Sequence, residues 1–338
     1  MRNQNLLFTT LALLLATSLG AAAQSKHNGI PAKYYGFEPA DGVTTREVTY
    51  YSDDVACWAK IYFPKNYDAN GKTPAVVVSH GWTGTHTSLL KYGNRFADAG
   101  LVTMVIDYRG WGKSDGFVTM VDRVKTVDDD RFTEATTKVQ IKRTRLAPLK
   151  QVEDIRAAIS YIQGEPGVDP ERIGIWGSSY AGGHVMSVAS MDPRVKAVVS
   201  HVPAVSGKNA PKGPMPMSKA ETADAIKRAR EGQGAEFKTG FTTPRFVDME
   251  TARLSKEYRP FHGVEYINDD VAVLFIIAGN DELINNDNSA KSAIKLLRGP
   301  KKLIEYEGIG HFDPYIEDHF VKASAEAANW YREHLGLN

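Results

Sequence analysis

The chain has 338 residues, 41 Lys and Arg against 40 Asp and Glu, and a hydrophobic fraction of 42%. So even a charge balance excludes the basic excess expected of a nucleic-acid binder or a protein held on an anionic membrane surface. The single cysteine, Cys57, excludes an intramolecular disulfide, so stability must come from a buried core.

The first residues read as a secretory leader: a short polar start with Arg2, an apolar run from Leu6 to Leu19, and Ala21-Ala-Ala23 before Gln24. This is the pattern of a cleavable signal peptide over residues 1–23 with an A-x-A site. No cysteine follows for lipid attachment, and no later stretch offers about 18 uninterrupted apolar residues, so no stable membrane anchor is expected. The expectation is a periplasmic or secreted protein. The roughly 315 residues from Gln24 to Asn338 suit one large α/β domain with insertions.

Thr45–Tyr51 and Ala56–Phe63 read as two antiparallel strands. Short β-branched runs follow at Ala75–Ser79, Leu101–Ile106, Ile173–Trp176, Val195–Val199 and Val271–Ile277, with helical patterns between most of them. Such runs predict buried parallel strands, and the alternation predicts a mostly parallel sheet with helices on both faces. Lys302–Tyr306 fits a last strand, and Glu317–Leu335 a closing helix with Phe320, Ala323, Ala327, Trp330 and Leu335 near helical period.

Two stretches interrupt the alternation. Residues 117–147 carry Asp128-Asp-Asp130 and a basic segment around Lys142–Arg145, and read as a solvated loop, with a wall of the binding cleft as the alternative. Residues 205–265 are broken by Pro211, Pro214, Pro216 and Pro244, with a helix expected over Ala220–Arg230. An insertion between the sixth and seventh core strands is placed to form a cap over a site at the sheet edge.

The chemistry is concentrated in Ile173-Gly-Ile-Trp-Gly-Ser-Ser-Tyr-Ala-Gly-Gly183. A strand pattern that ends in Gly-x-Ser and continues into small residues predicts a sharp strand-to-helix turn presenting Ser179, with Gly177, Ala181 and Gly182 avoiding clashes. Choosing Ser178 instead would put Trp176 where the turn needs a small residue. The plainer alternative is an ordinary helix start with Ser179 as its cap.

A serine hydroxyl is a weak nucleophile near neutral pH and needs a base and a group that orients the base. His311, in Glu307-Gly-Ile-Gly-His311 just after the last predicted strand, is the candidate base. Asp281 is favoured as the third member because Gly279-Asn-Asp281 follows directly on a strand, with Glu282 and Asp287 as rivals. Charge developing on a carbonyl oxygen would be met by the backbone N–H groups of Tyr180 and of Trp82, in the glycine-rich turn Ser79-His-Gly-Trp-Thr-Gly84. His80 reads as structural. Asp107-Tyr-Arg-Gly-Trp-Gly-Lys-Ser-Asp-Gly116 reads as an architectural turn first and a pocket wall second.

The order Ser179, Asp281, His311 resembles the α/β-hydrolase superfamily over residues 45–335. Gly177-Ser-Ser-Tyr-Ala-Gly182 and the Asp-Tyr-Arg-Gly turn look like its dienelactone-hydrolase-like and Xaa-Pro dipeptidyl-peptidase-like branches. The resemblance implies the α/β-hydrolase fold and hydrolysis through an acyl-serine. Dienelactone hydrolases themselves use a cysteine, so Ser179 departs from that activity, and the elbow glycine stands one place later than usual.

The leading expectation is a serine esterase acting on small-molecule esters without metal or organic cofactor; no zinc-ligand pattern is present in the sequence. A prolyl or Xaa-Pro peptidase is the alternative. It would need carboxylates such as Glu221, Asp224, Glu231 or Glu236 to hold a substrate ammonium. A noncatalytic ligand binder on the same fold is the third reading.

Overall fold

Two antiparallel strands, β1 (Thr44–Ser52) and β2 (Val55–Phe63), open the sheet. They are joined by a turn in which Asp53 and Asp54 take φ of +46° and +63°. Consecutive left-handed residues match the twist of a tight hairpin. The computed structural model describes residues 38–122, 124, 134–143, 145–210, 213–232, 234–239 and 245–337; the leader 1–23 and the acidic run Asp128–Asp130 lie outside them.

The remaining strands are β3 (Thr73–Ser79), β4 (Val102–Ile106), β5 (Phe117–Met120), β6 (Val139–Lys142), β7 (Val168–Ser178), β8 (Val195–His201), β9 (Glu236–Thr239), β10 (Arg245–Asp248), β11 (Ala272–Ala278) and β12 (Lys301–Tyr306). Eight form one sheet in the order β1-β2-β4-β3-β7-β8-β11-β12. From β4 to β12 every pairing is parallel, and β2 joins β4 antiparallel. The helices are α1 (Leu90–Asp98), α2 (Pro148–Gln163), α3 (Tyr180–Met191), α4 (Lys219–Glu231), α5 (Met249–Glu257), α6 (Ala290–Ala293) and α7 (Glu317–His334).

The period of two along each central strand divides the core into two layers. Val76 and Val78 of β3, Trp176 of β7 and Leu274 and Ile276 of β11 pack with Tyr92 and Phe96 of α1 and Phe320, Ala327 and Tyr331 of α7. Ala75, Val77, Ile175, Val273 and Phe275 face the other way, onto Ile155 and Ile159 of α2 and Val185 and Val188 of α3. Each fully buried aliphatic side chain of this kind contributes about 1.5–3 kcal/mol. This two-sided burial fixes the register of β7, β8 and β11, whose carboxyl ends carry the candidate site.

The interrupting stretches are more ordered than the sequence suggested. β5 and β6 pair as a hairpin, with Val118 opposite Ile141 and Met120 opposite Val139. The basic segment beside it, expected to be solvated, is tied down: Arg145 Nε donates to Asp248 Oδ2 at 2.8 Å and the Leu146 N–H to Thr251 Oγ1 at 3.0 Å. Asp248 caps α5 by accepting the Thr251 N–H, so one buried carboxylate joins the 205–265 segment to the body of the fold. The expected helix over Ala220–Arg230 is α4, begun by a capping box between Ser218 and Glu221.

Candidate active site

Ser179 stands between β7 and α3 with φ +54° and ψ −116°. Left-handed backbone at a non-glycine residue costs of order 1–3 kcal/mol and persists only where its surroundings impose it. Here the Ser179 N–H donates to the His201 carbonyl at 2.8 Å, and its own carbonyl accepts from Gly182 and Ala204. A side chain at Gly177 would overlap the Ala181 carbonyl and approach Val185 Cγ1 to 2.8 Å, so the turn demands glycine there. Ser179 makes no side-chain capping bond to α3, against the plainer reading of an ordinary helix cap.

Its hydroxyl is instead engaged by His311. Ser179 Oγ lies 3.0 Å from His311 Nε2, and His311 Nδ1 lies 2.7 Å from Asp281 Oδ2. The side chains of His311 and Asp281 are almost wholly buried. Asp281 Oδ1 accepts the N–H groups of Leu283 and Ile284 at 2.9 and 2.8 Å, which leaves Oδ2 for the imidazole. A carboxylate on Nδ1 favours the tautomer that presents Nε2 as an acceptor to the serine.

Of the rivals, Glu282 accepts the His311 backbone N–H at 2.9 Å, and the carbonyl of Asp287 receives Lys208 and Ser292. Neither carboxylate is on the His311 ring among the contacts seen. Sequence alone gave Glu282 no role as a brace; two adjacent acids after a strand are the signal. Ser178, the alternative serine, is the buried last residue of β7.

Tyr180 is the first residue of α3, so its N–H has no carbonyl one turn back. Trp82 follows Gly81, where an added Cβ would stand 2.9 Å from the Ser178 carbonyl and 3.0 Å from Ser179 Cβ. The two rings meet edge-on at 5.1 Å, so the turn after β3 and the start of α3 are packed together beside Ser179.

The wall behind this turn rests on Asp107, fully buried at the end of β4. Burial pushes its carboxyl upward, but the His86 ring, 2.5 Å away, nearby His80, and the N–H groups of Lys113 and His86 hold it below the usual range. His80 reaches the Gly81 carbonyl at 3.1 Å. On the other side, buried His184 bridges Tyr258 OH and Gln151 Oε1, each at 3.0 Å, and burial lowers its pKa to about 3. Tyr180 OH meets Ser255 Oγ at 3.1 Å. Ser255 and Tyr258 belong to the 205–265 segment, which therefore packs onto α3.

The carboxylates considered for an ammonium site are placed differently. Glu221 accepts from Lys256 at 2.6 Å, which with the Ser218 N–H and hydroxyl lowers its pKa to about 2, and Asp224 pairs with Arg228. Among the described residues no group of three or more His, Cys, Asp or Glu stands where it could hold a metal ion, and no helix is long and apolar enough to cross a membrane.

The X-Pro dipeptidyl-peptidase (S15 family) model matches residues 53–231, more than half of the chain, and the BAAT / acyl-CoA thioester hydrolase C-terminal model matches residues 151–329. An uncharacterized 31.7 kDa protein from the traX-finO intergenic region of Escherichia coli is 27% identical over 79% of this chain and 93% of its own length. The thiohydrolase apmlB of Arthrinium phaeospermum is 32% identical over 61% of this chain and 58% of its own. Among solved structures, Est1E from Butyrivibrio proteoclasticus with ferulic acid bound superposes with a TM-score of 0.61 at 19% identity, covering 86% of this chain and 99% of that one. Sheet order, the serine turn and these matches agree: the chain belongs to the α/β-hydrolase superfamily, and within it to the X-Pro dipeptidyl-peptidase S15 family.

Proposed function

We propose that this hydrolase cleaves carboxylic esters or thioesters of small molecules through an acyl-enzyme on Ser179, outside the cytoplasm. The observation that carries the reading is the Asp281–His311–Ser179 hydrogen-bonded line, with distances of 2.7 and 3.0 Å, at a strained strand-to-helix turn. His311 Nε2 takes the serine proton as Oγ bonds to the ester carbonyl, and the displaced π pair settles on the carbonyl oxygen. The N–H groups of Trp82 and Tyr180 receive that oxyanion. Collapse breaks the bond to the leaving group, which takes the proton from His311. Water, deprotonated by His311, then attacks the acyl-serine, releasing the acid and returning the proton to Ser179. Asp281 orients the imidazole and balances its charge throughout.

In this reading residues 1–23 direct export, and residues 205–265 form a cap that restricts substrate size through Ser255 and Tyr258. The S15 match keeps an Xaa-Pro peptidase as the second reading. Against it, Glu221 and Asp224 already satisfy Lys256 and Arg228, and neither is left to bind a substrate ammonium. Hydrolysis of a p-nitrophenyl ester series beside proline p-nitroanilides, with Ser179→Ala as control, tests the choice. Ester turnover that disappears in the variant supports the proposal, whereas preference for the anilide would replace it with the peptidase.

A further inference from the structure

Lys91, in the first turn of α1, is half-buried and reaches across to the loop that carries His311. Its Nζ donates to the carbonyl of Tyr315, the last residue of the short 3-10 turn Asp313–Tyr315. A cation is favoured at the carbonyl end of a helical turn. Next to it along α1, the Tyr92 hydroxyl reaches the Pro314 carbonyl at 3.5 Å. Two successive side chains of α1 thus hold the carbonyls of the turn that follows His311.

The donor side is anchored in the core. Tyr92 is fully buried, with its ring 4.4 Å from that of Trp176 on β7 and 5.0 Å from that of Phe320 on α7. The receiving side is the site itself. The Tyr315 ring lies 6.4 Å from that of His311 and 5.1 Å from that of His201, whose carbonyl accepts the Ser179 N–H. Burying an ammonium costs free energy that a methionine of similar size would avoid. Among the described residues Lys91 pairs with no carboxylate, and burial lowers its pKa to about 8. The bond to Tyr315 and the Phe320 ring, 4.5 Å from Nζ, offset that cost. The titratable groups around Lys91 are Tyr92, Tyr315 and His201, with His311 beyond them; His201 is neutral because its own pKa is lowered to about 3. Asp313 accepts the Gly310 N–H at 2.8 Å, and Glu317, Asp318 and His319 open α7.

We infer that Lys91 is a positioning residue for the acyl-transfer reaction: its ammonium clamps the turn that follows His311 to α1 and so keeps the imidazole in line between Asp281 and Ser179. The inference rests on the reading of His311 as the general base. Lys91 meets a backbone carbonyl and not the reacting atoms, so its loss should lower kcat and leave KM nearly unchanged. A neutral amine donates a weaker hydrogen bond than an ammonium, so the clamp loosens as pH rises through the lysine's titration. A histidine base alone stays neutral and competent over that range and gives no such decline.

The test is the profile of kcat between pH 6 and 10 with p-nitrophenyl butyrate, using the full chain and subtracting the rate with Ser179→Ala. The wild type should reach a plateau and decline above about pH 8. Lys91→Met should lower the plateau by about tenfold, with KM within about twofold, and show no decline above it. Lys91→Arg, charged throughout, should recover most of kcat and hold it to pH 10. A Lys91→Met enzyme with wild-type kcat, an alkaline decline unchanged in that variant, or a Lys91→Arg enzyme no better than Lys91→Met overturns the inference. Hydrogen exchange read by mass spectrometry separates this from failure of the esterase reading, because it needs no turnover. Relative to the rest of the fold, the peptide spanning residues 311–318 should lose protection in the wild type between pH 7 and 9, and in Lys91→Met already at pH 7. The wild-type comparison holds whether or not a variant folds, and protection of that peptide unchanged by pH overturns the clamp.

Discussion

Gly81 stands against Ser179 so closely that a Cβ on it would lie 3.0 Å from the serine Cβ and 3.5 Å from its Oγ. The space beside the hydroxyl is thus kept open by the residue that precedes Trp82. In Gly81→Ala the added methyl enters the region where an ester carbonyl must lie. Turnover should fall by about 10²-fold, and because the same methyl stands 2.9 Å from the Ser178 carbonyl the thermal midpoint should fall as well. Steady-state kinetics beside thermal unfolding would check this; unchanged kcat/KM would mean that substrate approaches Ser179 from elsewhere.

The elbow itself is the second target. Gly177→Ala places a methyl against the Ala181 carbonyl and Val185, so the turn must open. Both stability and turnover are expected to drop, the former by about 1–3 kcal/mol, typical of overpacking. Denaturant unfolding reads the first and ester hydrolysis the second.

Asp281 and Glu282 are neighbours with separate tasks, one on the His311 ring and one on its backbone N–H. Asp281→Asn should lower kcat by about 10³–10⁴ because the amide favours the wrong imidazole tautomer. Glu282→Gln keeps an acceptor for the N–H, and a loss of no more than about tenfold is expected. Comparable losses in the two variants would put the orienting role of Asp281 in doubt.

Much of this was legible before any coordinates. The central strands announce themselves because they are buried on both faces, and Ser179, Asp281 and His311 each follow a strand end. What escaped has physical reasons. β7 begins at Val168, well before Ile173, because Asp169-Pro-Glu171 has the composition of a turn. The β5–β6 hairpin exposes Val118, Met120, Val139 and Ile141, a pattern that composition alone reads as loop. The joining of Arg145 to Asp248 spans more than a hundred residues, and no local pattern encodes it. Asp107 reads in the sequence as part of an architectural turn and His80 as structural, but their buried contacts with each other and with the His86 ring, and the bridge that His184 makes between Gln151 and Tyr258, join residues far apart in the chain.

His201 provides a test that leaves the site chemistry alone. Its ring is fully buried beside Trp176, Tyr92 and Tyr315, neither nitrogen has a hydrogen-bond partner, and burial, with His311 and Lys91 nearby, lowers its pKa to about 3. A base depressed in the folded state binds fewer protons there than in the unfolded chain. Stability is therefore lost as pH falls from about 6.5, the unfolded value, towards 3. His201→Phe keeps the carbonyl that receives the Ser179 N–H and removes a buried unsatisfied polar group. It should be at least as stable at neutral pH, and its advantage should widen on acidification. Unfolding curves between pH 7 and 4 would read this, and a variant that loses stability faster than the wild type in acid would contradict it.

The most direct test of the central claim is to treat the folded protein with a fluorophosphonate and locate the adduct by peptide mass spectrometry. The account predicts one phosphonyl group on Ser179, loss of ester turnover in step with labelling, and no label in Ser179→Ala. Turnover that survives while Ser179 stays unlabelled, or an adduct on another side chain that alone abolishes it, would contradict the assignment of the nucleophile.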